Sequence, residues 1–179
     1  MSVHAYLRSV THSAHEQLDA QLSGFDLGDR ADYTRFLTIQ AAAFLPIEQA
    51  LDDAGAATIV PDWSARRRGQ SLRDDLAALA VAAPPPITAP SFTHPAEILG
   101  GVYVFEGSRL GGSMLSRSIG PGLPRRFLAG GTLRGGWKSL ILLLEHNLTS
   151  VAQQERAGNS AILTFDCFFR AATSSVEAR

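Results

Sequence analysis

The sequence predicts an all-α protein that forms a single domain. Apolar residues recur at helical spacing through most of the chain, and no stretch alternates apolar and polar residues as a strand would. The chain has 179 residues, enough for one sizeable core, and its 45% hydrophobic and 18% charged content is typical of a globular protein. We therefore expect one domain over residues 1–179, built from six or so helices.

The first two helices are predicted by their apolar faces. Over about residues 3 to 21, helical spacing is kept by Leu7, Val10, Ala14 and Leu18. The second helix, over about residues 30 to 54, follows a turn, and Asp29 is a suitable N-cap for it. Pro46 is expected to kink this helix. Its apolar face consists of Tyr33, Phe36, Leu37, Phe44, Leu45, Ile47 and Leu51.

The middle of the chain is expected to hold a third helix and then a connector. The helix spans residues 61 to 82, with Leu72, Leu76 and Leu79 facing the core. We interpret the basic run Arg66–Arg68 as part of its solvated face. Residues 83 to 95 contain five prolines and are expected to be extended.

A glycine-rich helix follows, from Ile98 to Ile119, with the sequence ILGGVYVFEGSRLGGSMLSRSI. Its apolar spacing is helical, yet each interior glycine costs about 0.5–1 kcal/mol relative to alanine. The glycines and a serine gather on one side, so another body can approach the backbone there. That body is either a packed helix or a flat ligand. After a GPGLP break, two helices over about residues 137 to 148 and 151 to 174 complete the chain.

Composition favours some classes of protein over others. A formal net charge of −1 does not favour a general nucleic-acid surface. The single cysteine, Cys167, excludes an internal disulfide and fits a reducing cytoplasm. The N-terminus lacks a signal-type apolar stretch, and no window approaches the roughly 20 apolar residues that span a bilayer. We expect a cytoplasmic protein without nucleic-acid or membrane partners.

Two of the five histidines lie three residues apart in the first helix. A metal pair of His12 and His15 is conceivable at this spacing. Asp19 follows His15 at i+4, where its carboxylate can accept a hydrogen bond from the ring and fix the tautomer. Arg8 lies two turns before His15 on the same face, where it can pair with an anionic group of a ligand. One ligand can therefore touch both Arg8 and His15.

Two motifs resemble the haem oxygenase family, particularly bacterial members and those paired with phytochromes. The first is LRSVTHSAHEQLD, in which Leu7, Arg8, Thr11 and His15 match an L-basic-x-x-T-x-x-x-H pattern. The second is GVYVFEGSRLGGSML, in which Glu106, Gly107, Ser108, Leu110 and Gly111 match an EGSxLG element. The stretch FLAGGTLRGGWKSL, residues 127 to 140, resembles the segment of the family's sequence that links a Phe-Leu pair to a Trp-bearing helix.

The resemblance implies a haem oxygenase-like fold that holds its ligand between a proximal N-terminal helix and a kinked, glycine-rich distal helix. His15 would be the iron ligand, Asp19 its support and Arg8 a contact of a haem propionate. Bare backbone at Gly107 and Gly111 would lie close to the haem. The remaining candidates are Ser108 as a catalytic residue, Gly112 as a haem contact, and Arg125, Arg126, Arg134 and Lys138 as further propionate contacts.

The implied activity opens haem, which serves as both cofactor and substrate, to biliverdin, CO and iron. It needs O₂ and electrons from an external redox partner such as ferredoxin or a reductase, and a phytochrome is a candidate acceptor of biliverdin. Ser108 either holds a water or serves as a small packing residue. Glu106 is expected to be a structural partner of a nearby arginine, and Arg109 is expected to face solvent.

Two other functions share this helical architecture. One is a haem-binding sensor or carrier without turnover, which would keep His15 but lack a productive distal water chain. The other is a thiamin-hydrolysing enzyme, which requires a nucleophilic cysteine. Cys167 lies within an apolar, aromatic helix face, where we expect a buried and inert thiol.

Overall fold

The structure is a computed structural model that describes residues 1–130, 133 and 135–177. Within these ranges the regular structure is helical and includes no strand, which confirms the predicted fold class. Residues 81–93 contain no helix, as their prolines predict. None of the described helices is long and apolar enough to cross a membrane. The helices are α1 (Val3–Leu22), α2 (Arg30–Asp53), α3 (Ala56–Ile59), α4 (Trp63–Arg66), α5 (Gly69–Ala78), α6 (Pro95–Leu115), α7 (Arg126–Ala129), α8 (Gly136–Asn147) and α9 (Val151–Glu177).

The first two helices begin at capping side chains. The hydroxyl of Ser2 accepts a hydrogen bond from an amide of the first turn of α1. The Asp29 carboxylate accepts hydrogen bonds of 2.9 Å from the amides of Ala31 and Asp32, as predicted for an N-cap. Each cap satisfies N–H groups that a first helical turn leaves unpaired. The predicted apolar face of α2 lies in the core, and the helix continues through Pro46.

The predicted helix over residues 61 to 82 is wrong as a single element, because the chain is interrupted between α4 and α5. The carboxylate of Glu48, in α2, accepts hydrogen bonds from the amides of Arg68 (2.7 Å) and Gly69 (3.0 Å). A Cβ at position 69 would collide with that carboxylate, so the glycine leaves room for it at this start of α5. The three leucines predicted to face the core from this region are buried, namely Leu72, Leu76 and Leu79.

The first half of α6 lies directly on α9. The helix starts with a capping box in which the Glu97 carboxylate accepts a hydrogen bond from the amide of His94 (3.1 Å). A Cβ at Gly100 would collide with the main-chain carbonyl of Ala157, so this glycine permits close helix crossing. Ser160 donates a hydrogen bond of 2.7 Å to the carbonyl of Glu97. This half of α6 is therefore fixed to α9.

α9 packs extensively against both α1 and α6 and makes further contacts with α2. The aromatic core beside it contains Phe44 of α2 and Phe105 of α6, whose rings stack with centroids 4.2 Å apart. Phe127 of α7 meets the ring of Phe44 edge-on at 5.0 Å. Since α1 and α6 both rest on α9, the space between them depends on that helix.

Candidate functional site

A cavity of about 740 Å³ opens between α1 and the second half of α6. The two motifs singled out in the sequence both line it, although they lie some 90 residues apart. Lining residues include Arg8, Thr11, His12, His15 and Asp19 from α1, Tyr103, Val104, Gly107, Ser108, Gly111 and Gly112 from α6, and Phe36, Gln40, Phe127, Phe165 and Phe168 from other helices. The volume lies in the range of cavities that enclose a cofactor or a drug-sized ligand.

On the α1 side, His15 and Asp19 form the contact that their spacing predicts. Nδ1 of His15 lies 3.0 Å from Oδ2 of Asp19, and 59% of the histidine side chain is exposed. The ring also meets Phe165 of α9 edge-on, with centroids 5.7 Å apart. Because the carboxylate engages Nδ1, Nε2 is the ring nitrogen left for a metal.

His12 lines the same cavity, but its Nε2 lies 3.2 Å from Oε1 of Glu16. Across the residues that the structure describes, no group of three or more His, Cys, Asp or Glu side chains is placed to hold a metal ion. His12 and His15 are therefore not joined by a third side chain of these types to form a metal site among the described residues. His15 alone could supply one nitrogen ligand to a metal that a bound molecule brings with it.

The glycines of α6 divide into two groups by their surroundings. A Cβ at Gly107 or Gly111 would meet no other atom within 4 Å, since both positions border the cavity. A Cβ at Gly112 would lie 3.2 Å from Cδ2 of Leu128 in α7, so this glycine also serves packing. The packed-helix interpretation is confirmed at Gly100, whereas Gly107 and Gly111 leave bare backbone against the cavity, so a flat ligand there stays a prediction.

Ser108 accepts a hydrogen bond from Arg68, an arginine that the sequence analysis placed on a solvated face. Nη2 of Arg68 donates hydrogen bonds to Oγ of Ser108 (2.6 Å) and to the carbonyl of Phe105 (2.9 Å). The hydroxyl of Ser108 donates to the same carbonyl (2.7 Å). The guanidinium lies between the rings of Phe44 and Phe127, at about 5 Å from each centroid. Burial, and then the charge of Arg109, lower the pKa of Arg68 to about 9, so it remains charged at neutral pH.

Two expectations about charged side chains are wrong. The run Arg66–Arg68 is not a solvated face, because Arg66 and Arg68 are buried. Arg109 does not face solvent either: its Nε lies 3.1 Å from Oε1 of Glu106, and its Nη2 donates to the carbonyl of Arg66 (2.6 Å). Glu106 also pairs with Nη1 of Arg66 at 2.9 Å, which confirms its structural role. Arg66 also pairs with Asp62 at 2.7 Å, so the two buried arginines meet two carboxylates, which offsets charges that would otherwise be costly to bury.

The predicted cationic contacts fare differently. Arg8 lines the cavity with an exposed side chain. Arg125 donates to the carbonyl of Ile119, and Nη1 of Arg126 pairs with Asp74 at 3.1 Å. Both arginines border a second depression instead of the main cavity. Lys138 is exposed and does not line the cavity, and Arg134 lies outside the described residues. The structure therefore does not bring Arg125, Arg126 or Lys138 to the cavity, because α7 and α8 carry them elsewhere.

Sequence reasoning missed three polar cavity residues, Tyr103, Gln40 and Ser23. Burial raises the pKa of Tyr103, which stays protonated. Its position four residues before Gly107 and eight before Gly111 places it on the same stripe of α6, a signal present in the sequence. Gln40 lies in an otherwise apolar part of α2, and no motif points to it. Cys167 is buried and does not line the cavity, and burial raises the pKa of its thiol.

Comparison with known proteins adds independent findings. No family model matches the chain. The chain is 30% identical over 139 residues to a haem oxygenase of Xanthomonas campestris pv. campestris (strain 8004), across 72% of this chain and 81% of the relative. Its fold is similar to that of the haem oxygenase from Neisseria meningitidis, known from crystal structures with NO and CO bound. The TM-score is 0.80 at 16% identity, over 99% of this chain and 93% of that one.

Proposed function

Because the chain belongs to the haem oxygenase family, we propose that it opens haem to biliverdin in the cavity between α1 and α6. The observation that carries this assignment to particular residues is the arrangement of the cavity. A histidine with a carboxylate on its Nδ1 lines it from α1, and bare backbone at Gly107 and Gly111 lines it from α6. A carrier that binds haem without turnover has no observation in its favour.

The residues present fit a haem. The cavity volume suits a large planar ligand, and phenylalanines from α2, α7 and α9 provide apolar contact area. The space beside Gly107 and Gly111 is space that any Cβ would fill. Nε2 of His15 is a suitable metal ligand, and Arg8 offers a guanidinium for a propionate carboxylate.

On the α1 side, the proposed work of the protein is to hold one imidazole in one state. Asp19 accepts a hydrogen bond from Nδ1–H of His15, so the lone pair of the neutral ring stays on Nε2. This partner also fixes the orientation of the ring as a ligand. A thiolate ligand donates electron density that favours O–O cleavage. A neutral histidine ligand would donate less of it.

On the α6 side, the proposed work is positioning and the exclusion of side-chain bulk. Bound haem supplies both the iron and the carbon that is oxidised, so it is cofactor and substrate together. The glycines let the α6 backbone approach this ligand, and the Arg68 guanidinium fixes the hydroxyl of Ser108 at the cavity wall. Gly112 is proposed to act mainly in packing on α7 while it borders the same space.

The partners and compartment are further parts of the proposal. We propose that ferredoxin or a reductase supplies electrons, that a phytochrome is a candidate acceptor of biliverdin, and that the protein works in the cytoplasm. The support for these proposals is the resemblance of both motifs to bacterial haem oxygenases, together with a single thiol that suits a reducing compartment.

The experiment combines haemin titration with turnover, using His15→Ala and, as its matched control, His12→Ala one turn away on the same helix. We expect a histidine-type Soret band in the wild type and in His12→Ala, its loss in His15→Ala, and its partial return when imidazole is added. Turnover is then started with ascorbate or with a reductase and ferredoxin, with catalase present.

Loss of the Soret band with growth of biliverdin absorption is the expected result. A stable haem complex that does not bleach would exclude the enzyme in favour of a carrier. Absence of a Soret band in the wild type would exclude both, and an unchanged band in His15→Ala would move the iron ligand to another residue.

A further inference from the structure

The helix α7 is too short to be stable through its own hydrogen bonds. It consists of one turn, and isolated helices shorter than about 12–15 residues are marginal in water. Arg125 occupies the N-cap position, and its side chain makes no capping hydrogen bond there. The N–H groups at the start of α7 therefore need acceptors from another part of the fold.

Asp75 of α5 supplies two such acceptors, although it lies about 50 residues earlier in the sequence. Its Oδ1 accepts a hydrogen bond from the amide of Arg126 (3.1 Å), and its Oδ2 accepts one from the amide of Phe127 (2.8 Å). Asp75 is fully buried. Burial raises the pKa of Asp75 above its ordinary 3.8, and the two amides oppose this effect. Because a buried charge is costly without such partners, Asp75 and the start of α7 stabilise each other.

The same short helix provides part of the cavity wall. Phe127 and Leu128 both line the cavity and are almost completely buried. Leu128 also packs beside Gly112 of α6. Asp75 does not line this cavity but borders the second depression, on the other side of α7. Asp75 can therefore act on a ligand in the cavity only through the position of α7.

We propose that Asp75 is a positioning residue for haem opening, which holds α7 so that Phe127 and Leu128 fix the orientation of the macrocycle in the cavity. This inference rests on the proposed function. Oxidation at different bridging carbons of the macrocycle gives different biliverdin isomers, so the orientation of the bound ligand determines the product. One orientation requires a wall that stays in place, because small displacements of a reacting group change which atom is attacked.

The test compares Asp75→Asn, Phe127→Leu and the double variant with the wild type. Asparagine keeps the shape of aspartate but offers one acceptor oxygen, so one amide of α7 loses its partner. Asp74→Asn is the matched control, because Asp74 is the adjacent carboxylate on the same helix and pairs with the side chain of Arg126 (3.1 Å). Leu51→Ala is the control for general destabilisation, since Leu51 is buried in α2 and does not line the cavity.

Four properties are measured well below the melting temperature of every variant. They are amide hydrogen exchange in α7 without haem, haemin affinity, the circular dichroism of the Soret band, which depends on the aromatic rings around haem, and the isomer composition of biliverdin.

In Asp75→Asn we expect faster exchange at the amide of residue 126 or 127. Haemin binding should weaken by about twofold to 30-fold, the range for residues that act on a ligand without touching it. The Soret dichroism should change, and a mixture of isomers should replace one main isomer. Asp74→Asn and Leu51→Ala should keep the wild-type dichroism and isomer composition. The double variant should differ no more from the wild type than Phe127→Leu does, because Asp75 acts through α7.

Several results would overturn this inference. The wild-type isomer composition in Asp75→Asn or in Phe127→Leu would show that α7 does not orient the ligand, and a mixture from the wild type would show that no single orientation is held. The same change in Leu51→Ala would assign the effect to lost stability, as would failure of Asp75→Asn to fold. Additive changes in the double variant would mean that Asp75 acts by another route. Failure of the wild type to bind or degrade haem would instead overturn the proposed function.

Discussion

Replacing Gly107 by alanine is expected to stabilise the ligand-free protein while it weakens haem binding. The added Cβ would meet no atom within 4 Å, so the only effect on the ligand-free helix is the change in propensity. In a helix interior this change is worth about 0.8–1.0 kcal/mol in favour of alanine. For a chain of this size, the melting temperature should rise by about 2–4 °C.

The same methyl group would occupy the wall that haem is proposed to approach. Overpacking by one methyl typically costs about 1–3 kcal/mol, so the dissociation constant for haemin should rise by about five- to 150-fold. Gly100→Ala is the matched control on the same helix. Its Cβ would collide with the carbonyl of Ala157, so it should lower the melting temperature.

The assay is thermal unfolding followed by circular dichroism, run beside a haemin titration of each variant. Opposite shifts in melting temperature for Gly107→Ala and Gly100→Ala are the expected pattern. A lower melting temperature for Gly107→Ala would show that its surroundings are not open. Wild-type haemin affinity and turnover in that variant would show that bare backbone is not required there.

Two further predictions concern buried and capping carboxylates. Hydrogen bonds from the amide and hydroxyl of Thr93 hold the pKa of Glu97 below its ordinary 4.5. The Glu97 carboxylate therefore contributes its full stabilisation at pH values above 4.5. This stabilisation is lost as the pH falls through the lower pKa of the folded state. Glu97→Gln should flatten this acid-side loss in melting temperature measured against pH, and an unchanged profile would contradict it. Glu106→Gln removes the charge that pairs with Arg66 and Arg109, and should lower the free energy of unfolding by about 3 kcal/mol in urea titrations. A loss below about 1 kcal/mol, the size expected of an exposed pair, would mean that the cluster is not effectively desolvated.

Local signals in the sequence were sufficient for α1, α2, α6 and most of α9. Their helical periodicity, the Asp29 cap and the i+4 spacing of His15 and Asp19 each depend on neighbouring residues alone. The gap between α4 and α5 could not be predicted in the same way. It depends on the carboxylate of Glu48, which lies 20 residues before Arg68 and reaches that segment only through folding.

Burial of charge was the other feature that local patterns could not predict. A triplet of arginines is usually solvated, yet Arg66 and Arg68 are buried because α6 places Glu106 and the carbonyl of Phe105 beside them. The same limitation applies to Arg125 and Arg126. Their place in the sequence did not show that both side chains would border a second depression instead of the main cavity. Charged side chains follow their partners, and partners distant in sequence leave no periodic signal.

The position of α9 has a consequence for ligand selection. The backbone of this helix at Ala157 contacts Gly100 of α6, and its Phe165 contacts the ring of His15 in α1. The helix therefore sets the distance between α1 and α6, and with it the width of the cavity. The size of planar ligand that the cavity admits therefore depends on α9, although most contacts of this helix are with other helices. Changing the bulk of Ala157 or Phe165 should alter which macrocycles fit, even though neither residue takes part in the proposed chemistry.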